Sequence, residues 1–437
     1  MSFFGWKGWT QGALRYNAKK MAHKVLCRRT IGGVDMFLSQ FKEDLVSSVK
    51  KMILRESKLS AYFTLAIIVF VLSFLFFPNK TIIRNYYYIF IFAPALYAVY
   101  ALRDRLNLRQ PDMLLWGLLF FVCALSGTLV YLKYIIYAAA LILLASRVVP
   151  GEFFRIPVVV RGFFWVEIIH VFVSVLFYWL LGKYTFGDRM IDPLGIMNCI
   201  NTSIFLSGCL MLVLPYWVSE KRWIELGAGL ILSVISIVYI LQSRSGLAAM
   251  LPIFILLPGY VWHKRELRFY IVGLMLVTVL LMCLMIWMAP EFVSRMGSYR
   301  GEIWQKLLAD WKECSYLLGC GTDFVSQQTF AGEYRITHVH NIYFAFVLYN
   351  GLPALFVFLG LCFYSLYKAW KNRDPWGGYL LATMIGLNFN GGPIINRPNS
   401  FWILIILPIA IISNSRKMNN PICQNSAVSC VENEERK

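Results

Sequence analysis

Apolar residues fall along this chain in blocks of about 18–22, the length a helix needs to cross a bilayer, and short polar or basic segments close each block. The blocks lack the strict apolar/polar alternation of a membrane strand, so helices are expected rather than a barrel. Spans are predicted at roughly 59–78, 86–102, 113–130, 133–147, 162–182, 196–217, 224–241, 247–262, 269–289, 342–367, 377–390 and 400–413. The fourth, eighth, eleventh and twelfth are short. The expected fold class is an all-α polytopic membrane protein of about 12 transmembrane helices, with one long polar segment between the ninth and tenth.

Ahead of the first span, residues 1–58 hold twelve Lys/Arg against four Asp/Glu. Val34, Phe37, Leu38, Phe41, Leu45, Val49, Met52 and Ile53 recur there at helical spacing. That pattern fits an amphipathic helix on the membrane surface, or a solvated basic tail. The first apolar block starts too late for a signal peptide. The chain thus divides into a basic segment (1–58), nine helices (59–289), a polar segment (290–341), three helices (342–413) and a tail (414–437).

Composition agrees: 59% of residues are hydrophobic, 15% are charged, and mean hydropathy is +0.61. Soluble domains carry about 25% charged residues. The net charge of +19 does not signal nucleic acid, because Lys and Arg are spread between the spans, as the positive-inside rule expects. With the N-terminus in the cytoplasm, RDRLNLRQPD (103–112), the region of Arg147, Arg155 and Arg161, SEKRW (219–223), HKRELR (263–268), KAWKNRD (368–374) and the tail beginning Arg416-Lys417 all fall on the inner side. Both termini are expected there.

The outer side then holds KYTFGDRMIDPLG (183–195), the break QSRSG (242–246), the segment from Ala289 to Asn341, and FNGGPIINRPNS (389–400). Loops as long as 289–341 are usually functional. Within it RGEIWQKLLADW sets Trp304, Leu307, Leu308 and Trp311 at helical spacing, as in a helix lying on the outer interface. Cys314 and Cys320 share this segment and can pair if it faces an oxidising compartment. Arg244, in a polar break between two apolar stretches, is either a functional residue or a snorkelling arginine at a hairpin. Arg300, Arg335 and Arg397 lie on the same side, where topology requires no positive charge. Guanidinium groups suit phosphate oxygens and do not deprotonate. His338 and His340 end the long segment. An imidazole there can take a proton from a hydroxyl, or simply cap the following helix.

Other chemistries lack their parts. The chain has no DxD, no GxxxxGK[ST] phosphate loop, no metal-ligand spacing beyond one HxH, and no GxSxG nucleophile elbow. No metal or cofactor is expected.

QSRSGLAAMLPIFILL, YRGEIWQKLLADWKECSYLLGCG, HVHNIYFAFVLYNGLPALFVFLG and NRPNSFWILIILPIAII occur in this order over much of residues 240–413. Together they resemble the O-antigen ligase family. The first half resembles it only in topology and hydropathy. The resemblance implies a twelve-helix arrangement of the GT-C class in the bacterial inner membrane, with the active site facing the periplasm. It implies metal-independent, inverting transfer of a glycan from undecaprenyl diphosphate to a sugar hydroxyl of lipid A–core. Arg244 and Arg300 match the arginines that hold the diphosphate, and Arg397 matches an outer-loop arginine before the last span. His340 matches the general base, with His338 as an added candidate. The implied partners are the lipid-linked glycan donor, the lipid A–core acceptor and membrane lipids.

Two alternatives stay open. An O-antigen polymerase would use the same donor to extend a lipid-linked repeat. A transporter or flippase would be expected to show matching halves with interrupted helices, and no internal repeat is evident.

Overall fold

The structure is a computed structural model. It describes residues 58–102, 108–261, 265–288, 299–330, 334–336 and 338–415, together with residues 43, 46 and 47. Glu43, Val46 and Ser47 are helical, in a unit that ends at Arg55. The rest of the predicted N-terminal amphipathic helix, and the tail from 416, lie outside the described residues.

Every predicted span is helical. Among the described residues eight helices are long and apolar enough to cross a membrane, which makes the chain a multi-pass α-helical membrane protein. They are α1 (Lys58–Phe76), α2 (Lys80–Ala101), α4 (Val130–Val148), α5 (Pro157–Leu180), α6 (Cys199–Ser219), α7 (Trp223–Ile240), α9 (Arg265–Met288) and α11 (Ile342–Asn372). The other four have shorter apolar stretches: α3 (Pro111–Leu125), α8 (Arg244–Val261, whose apolar part ends at Pro258), α12 (Trp376–Gly386) and α13 (Trp402–Ser413). At 1.5 Å per residue, the 11 residues of α12 reach roughly 16 Å, about half the hydrocarbon thickness. The fourth predicted span, read as short, is in fact of spanning length, whereas the third is not. Between α9 and α11 lies the amphipathic α10 (Arg300–Lys312), followed by a two-stranded antiparallel ladder, β1 (Thr329–Phe330) with β2 (Tyr334–Arg335).

The core is built around α6, of which 17 residues are buried. In lipid the hydrophobic effect does not drive helices together; close packing and interhelical hydrogen bonds do. Small residues supply both here. Ser203 on α6 donates its hydroxyl to Ser243 Oγ at 2.6 Å, and Ser207 donates to the Gly246 carbonyl at 2.9 Å. These bonds fasten the start of α8 to α6. On the α12 side of α6, Gly208 sits under the Tyr379 ring, which leaves no room there for a Cβ.

Two irregularities shape one end of the molecule. The last turn of α7, Ile235–Ile240, is π-helical, and the chain then breaks at Gln242, which takes a left-handed φ of 45°. π turns often mark functional sites. The break is inside the protein: Gln242, Ser243 and Ser245 are all buried. Ser243 accepts from the Gly246 amide at 3.2 Å, so the turn satisfies a backbone donor of the helix that Arg244 begins. The second irregularity is at Gly351 in α11, whose φ of 81° kinks the helix ahead of Pro353. There the 314–320 turn leans on α11, with Cys320 N–H bonded to Leu348 O at 2.7 Å and Leu352 N–H to Tyr316 O at 2.9 Å. Cys314 and Cys320 are joined as a disulfide at the base of this turn.

Candidate functional site

His340 stands just before Asn341, the cap of α11, and several contacts fix it. Ile336 and Val339 are buried with Ile303 and Leu307 of α10. Trp304 on α10 donates its indole N–H to the Val339 carbonyl at 2.9 Å. The apolar stripe expected to face lipid therefore packs largely on protein: Trp304 and Trp311 join this cluster, while Leu308 is 40% exposed. α10 thus clamps Ile336 and Val339. With Val339 turned inward, His338 and His340 both reach one cavity, their rings 6.1 Å apart.

His340 itself has a left-handed φ of 54°, a strained conformation for a residue with a Cβ. Such strain persists only where the surroundings enforce it, and here they do. Asn341 caps α11 by accepting from Phe344 N–H at 2.9 Å, and its amide donates to Asn388 O at 3.0 Å. Gly391 lies against the Asn341–Ile342 backbone: a Cβ on it would stand 2.2 Å from Ile342 N. Only glycine lets the 390–401 loop approach so closely.

Charge gathers around His340 from distant parts of the chain. Arg300, half-buried at the start of α10, sits over the Phe389 ring at 5.9 Å. Burial, then the charges of Arg244 and Arg189, pull its pKa below the usual value. His340 is pushed down to about 4 by burial, then by Arg300 and His338. It is therefore neutral near pH 7, with a ring nitrogen free to accept a proton. Arg189 was not singled out in the sequence, where Asp188 and Asp192 flank it in the 183–195 loop. It donates to Leu241 O at 3.2 Å, which ties that loop to the break before Arg244.

A second cationic group lines the cavity, which has a volume of about 710 Å³. Arg397 is there, its Nε donating to Tyr134 Oη at 3.0 Å. With it are Lys80 and Arg84, from the first turns of α2. Neither was anticipated, because a basic residue at the start of an apolar helix reads as an ordinary interface anchor. Asn201, Asn390 and Ser400 add a hydrogen-bonded polar wall. Asp323 is the one carboxylate among the described lining residues.

The structure thus brings His338, His340 and Arg397 to one cavity, and sets Arg300 near His340, with Arg244 and Arg189 near Arg300 in turn. Arg335 does not join them. It stays in the β1–β2 ladder, donating to Ser326 O at 3.1 Å and Gln327 Oε1 at 2.9 Å. Among the described residues no carboxylate pairs with Lys80, Arg84, Arg189, Arg300 or Arg397. No three of His, Cys, Asp and Glu among the described residues come together as metal ligands do.

No protein-family model matches the chain, and a search of curated proteins returns no significant match.

Proposed function

We propose that the chain is a membrane glycosyltransferase of the O-antigen ligase kind, metal-independent and inverting. It takes a glycan from undecaprenyl diphosphate and passes it to a hydroxyl of lipid A–core on the periplasmic side of the bacterial inner membrane. The observation that carries this reading is a neutral, half-buried His340 under the charge of Arg300, which Arg244 and Arg189 act on in turn, at the wall of a cavity large enough for saccharide. The motif order noted in the sequence supports it. The disulfide in the 314–320 turn fits an oxidising compartment.

The chemistry follows from the charges. An acceptor hydroxyl attacks the anomeric carbon while His340 takes its proton. The bond from that carbon to the diphosphate oxygen breaks, and the electron pair leaves with the lipid diphosphate. Fixed guanidinium groups stabilise the negative charge that grows there, and a low-dielectric surround strengthens them. The same anion offsets the charge of Arg300 and so raises the basicity of His340 once donor is bound. The base is weak in the free protein and gains strength in the complex that needs it. His340, half-buried and under the charge of Arg300, fits the role of base better than His338, which is exposed.

The test is transfer by purified full-length protein from undecaprenyl-diphosphate glycan to lipid A–core in EDTA, with His340→Ala and Arg244→Ala alongside. Wild-type transfer, with a loss of about 10²–10⁴-fold in His340→Ala at unchanged thermal stability, supports the reading. A longer lipid-linked glycan with untouched core makes the protein a polymerase instead. No product of either kind, with control enzymes active, rejects enzymatic transfer and favours a transporter.

A further inference from the structure

The cations near His340 form two groups, and a single diphosphate explains only one. Arg189 and Arg244 act on Arg300, and Arg300 acts on His340. Lys80, Arg84 and Arg397 instead line the cavity onto which both histidines open. In an in-line displacement the attacking oxygen and the leaving oxygen stand on opposite sides of the anomeric carbon. A base beside the attacking oxygen therefore has the acceptor on one side and the donor's diphosphate across the reacting carbon. The cavity lined by His338, His340 and the second group is the side left for the acceptor.

Its lining suits an anionic saccharide. Three permanent cations face one carboxylate, Asp323. Arg84 Nε and Thr322 Oγ1 are buried without any hydrogen-bond partner, and both residues line the cavity. A buried polar atom left unpaired is costly, and both of these are donors that an anionic ligand in the cavity would satisfy. The amides of Asn201 and Asn390 and the ring of Tyr134 supply the neutral contacts a sugar needs.

We infer that Lys80, Arg84 and Arg397 form a second anion subsite, which recognises a phosphate monoester carried by the saccharide acceptor. This rests on the transfer reading above and adds to it the chemical class of acceptor: a phosphorylated core is preferred to a neutral one. Arg397 accordingly belongs to acceptor recognition rather than to the donor's diphosphate. The same cationic group could be filled by an anionic lipid headgroup or by the donor itself, and the measurement separates these.

Full-length protein in nanodiscs is given lipid A–core, either intact or enzymatically dephosphorylated. Acceptor and donor KM are measured for wild type, Lys80→Gln, and Lys80→Gln/Arg84→Gln. Dephosphorylation is expected to raise the wild-type acceptor KM about ten-fold, the scale of one charge-assisted hydrogen bond. The double variant is expected to show the same rise with intact acceptor, no further rise with dephosphorylated acceptor, and an unchanged donor KM. Lys80→Gln alone reports the same trend at smaller size if the double variant folds poorly. Equal KM values for the two acceptors in wild type overturn the inference. A rise in donor KM assigns the group to the diphosphate, and an effect that follows only the phosphatidylglycerol content of the nanodisc assigns it to lipid; either outcome overturns it too. If no transfer occurs at all, the proposed function falls, and equilibrium binding of the two acceptor forms to the same nanodiscs decides the subsite by itself.

Discussion

The two ends of this membrane protein use the same side chains in opposite ways. At the end away from the cavity, the arginines are paired inside the protein. Arg155 grips Asp374 with two guanidinium nitrogens and also bonds the Gly151 and Ile411 carbonyls. Arg161 pairs with Glu225 at 2.7 Å, and Arg147 with Asp112 at 3.4 Å. Lys368 reaches the Ser413 carbonyl at 2.7 Å. These contacts join the ends of α3, α4, α5, α7, α11 and α13. At the cavity end, Lys80, Arg84, Arg189, Arg300 and Arg397 have no carboxylate partner among the described residues, and Arg189 and Arg244 press on Arg300. One end is closed by its own counter-charges; the other holds positive charge that an incoming anion would balance. Arginine content alone does not distinguish a staple from a binding site. The location of the carboxylates does.

The sharpest break of this comparison is at Asp374, which is 5% exposed. Asp374→Ala leaves Arg155 buried without its counter-charge, and about 3–5 kcal/mol of stability is expected to be lost. Thermal unfolding in detergent would show this, with transfer per folded molecule unchanged. A loss of transfer without a loss of stability would erase the distinction between the ends. Arg300→Ala should do the reverse. Transfer is expected to fall about 10²–10³-fold, as when one fixed donor to a developing anion is removed. Stability should hold or rise slightly, because a cation repelled by Arg244 and Arg189 is gone. Both quantities come from one preparation.

A third prediction concerns pH. A general base works only when neutral, so kcat/KM should fall as pH drops through the pKa of His340 in the free protein, near 4. Burial is the largest cause of that depression and Arg300 the next. Arg300→Gln, assayed with enough protein to measure its residual rate, should therefore move the acid limb upward, toward but not reaching the usual value near 6.5. A limb that does not move would show that Arg300 does not act on the base. The smallest effect is expected at Trp304. Trp304→Phe keeps the packing of α10 but removes the bond to the Val339 carbonyl, worth about 1 kcal/mol. Looser placement of His340 should appear as a several-fold lower kcat with little change in either KM.

The sequence alone determined that this is an α-helical membrane protein and where its helices lie, because length, apolarity and the need to satisfy every backbone group in lipid are local properties. It also marked the QSRSG break, the amphipathic helix of residues 300–312 and the histidine pair at the mouth of α11, each a visible departure from its surroundings. Which polar residues meet was decided only by tertiary structure. Arg189 is separated from Arg300 by more than a hundred residues, and Lys80 from Arg397 by more than three hundred, and no local pattern reports that they converge. Arg335 looked like its neighbours in sequence, yet its ladder partners hold it apart. Arg155 looked like a topology signal until Asp374 was found against it. His340 and His338 stand two residues apart, and only the packing of Val339, Asn341 and Gly391 half-buries one ring and leaves the other exposed. Local patterning sets the elements; burial and charge at the site arise where the chain returns on itself, and so belong to the fold.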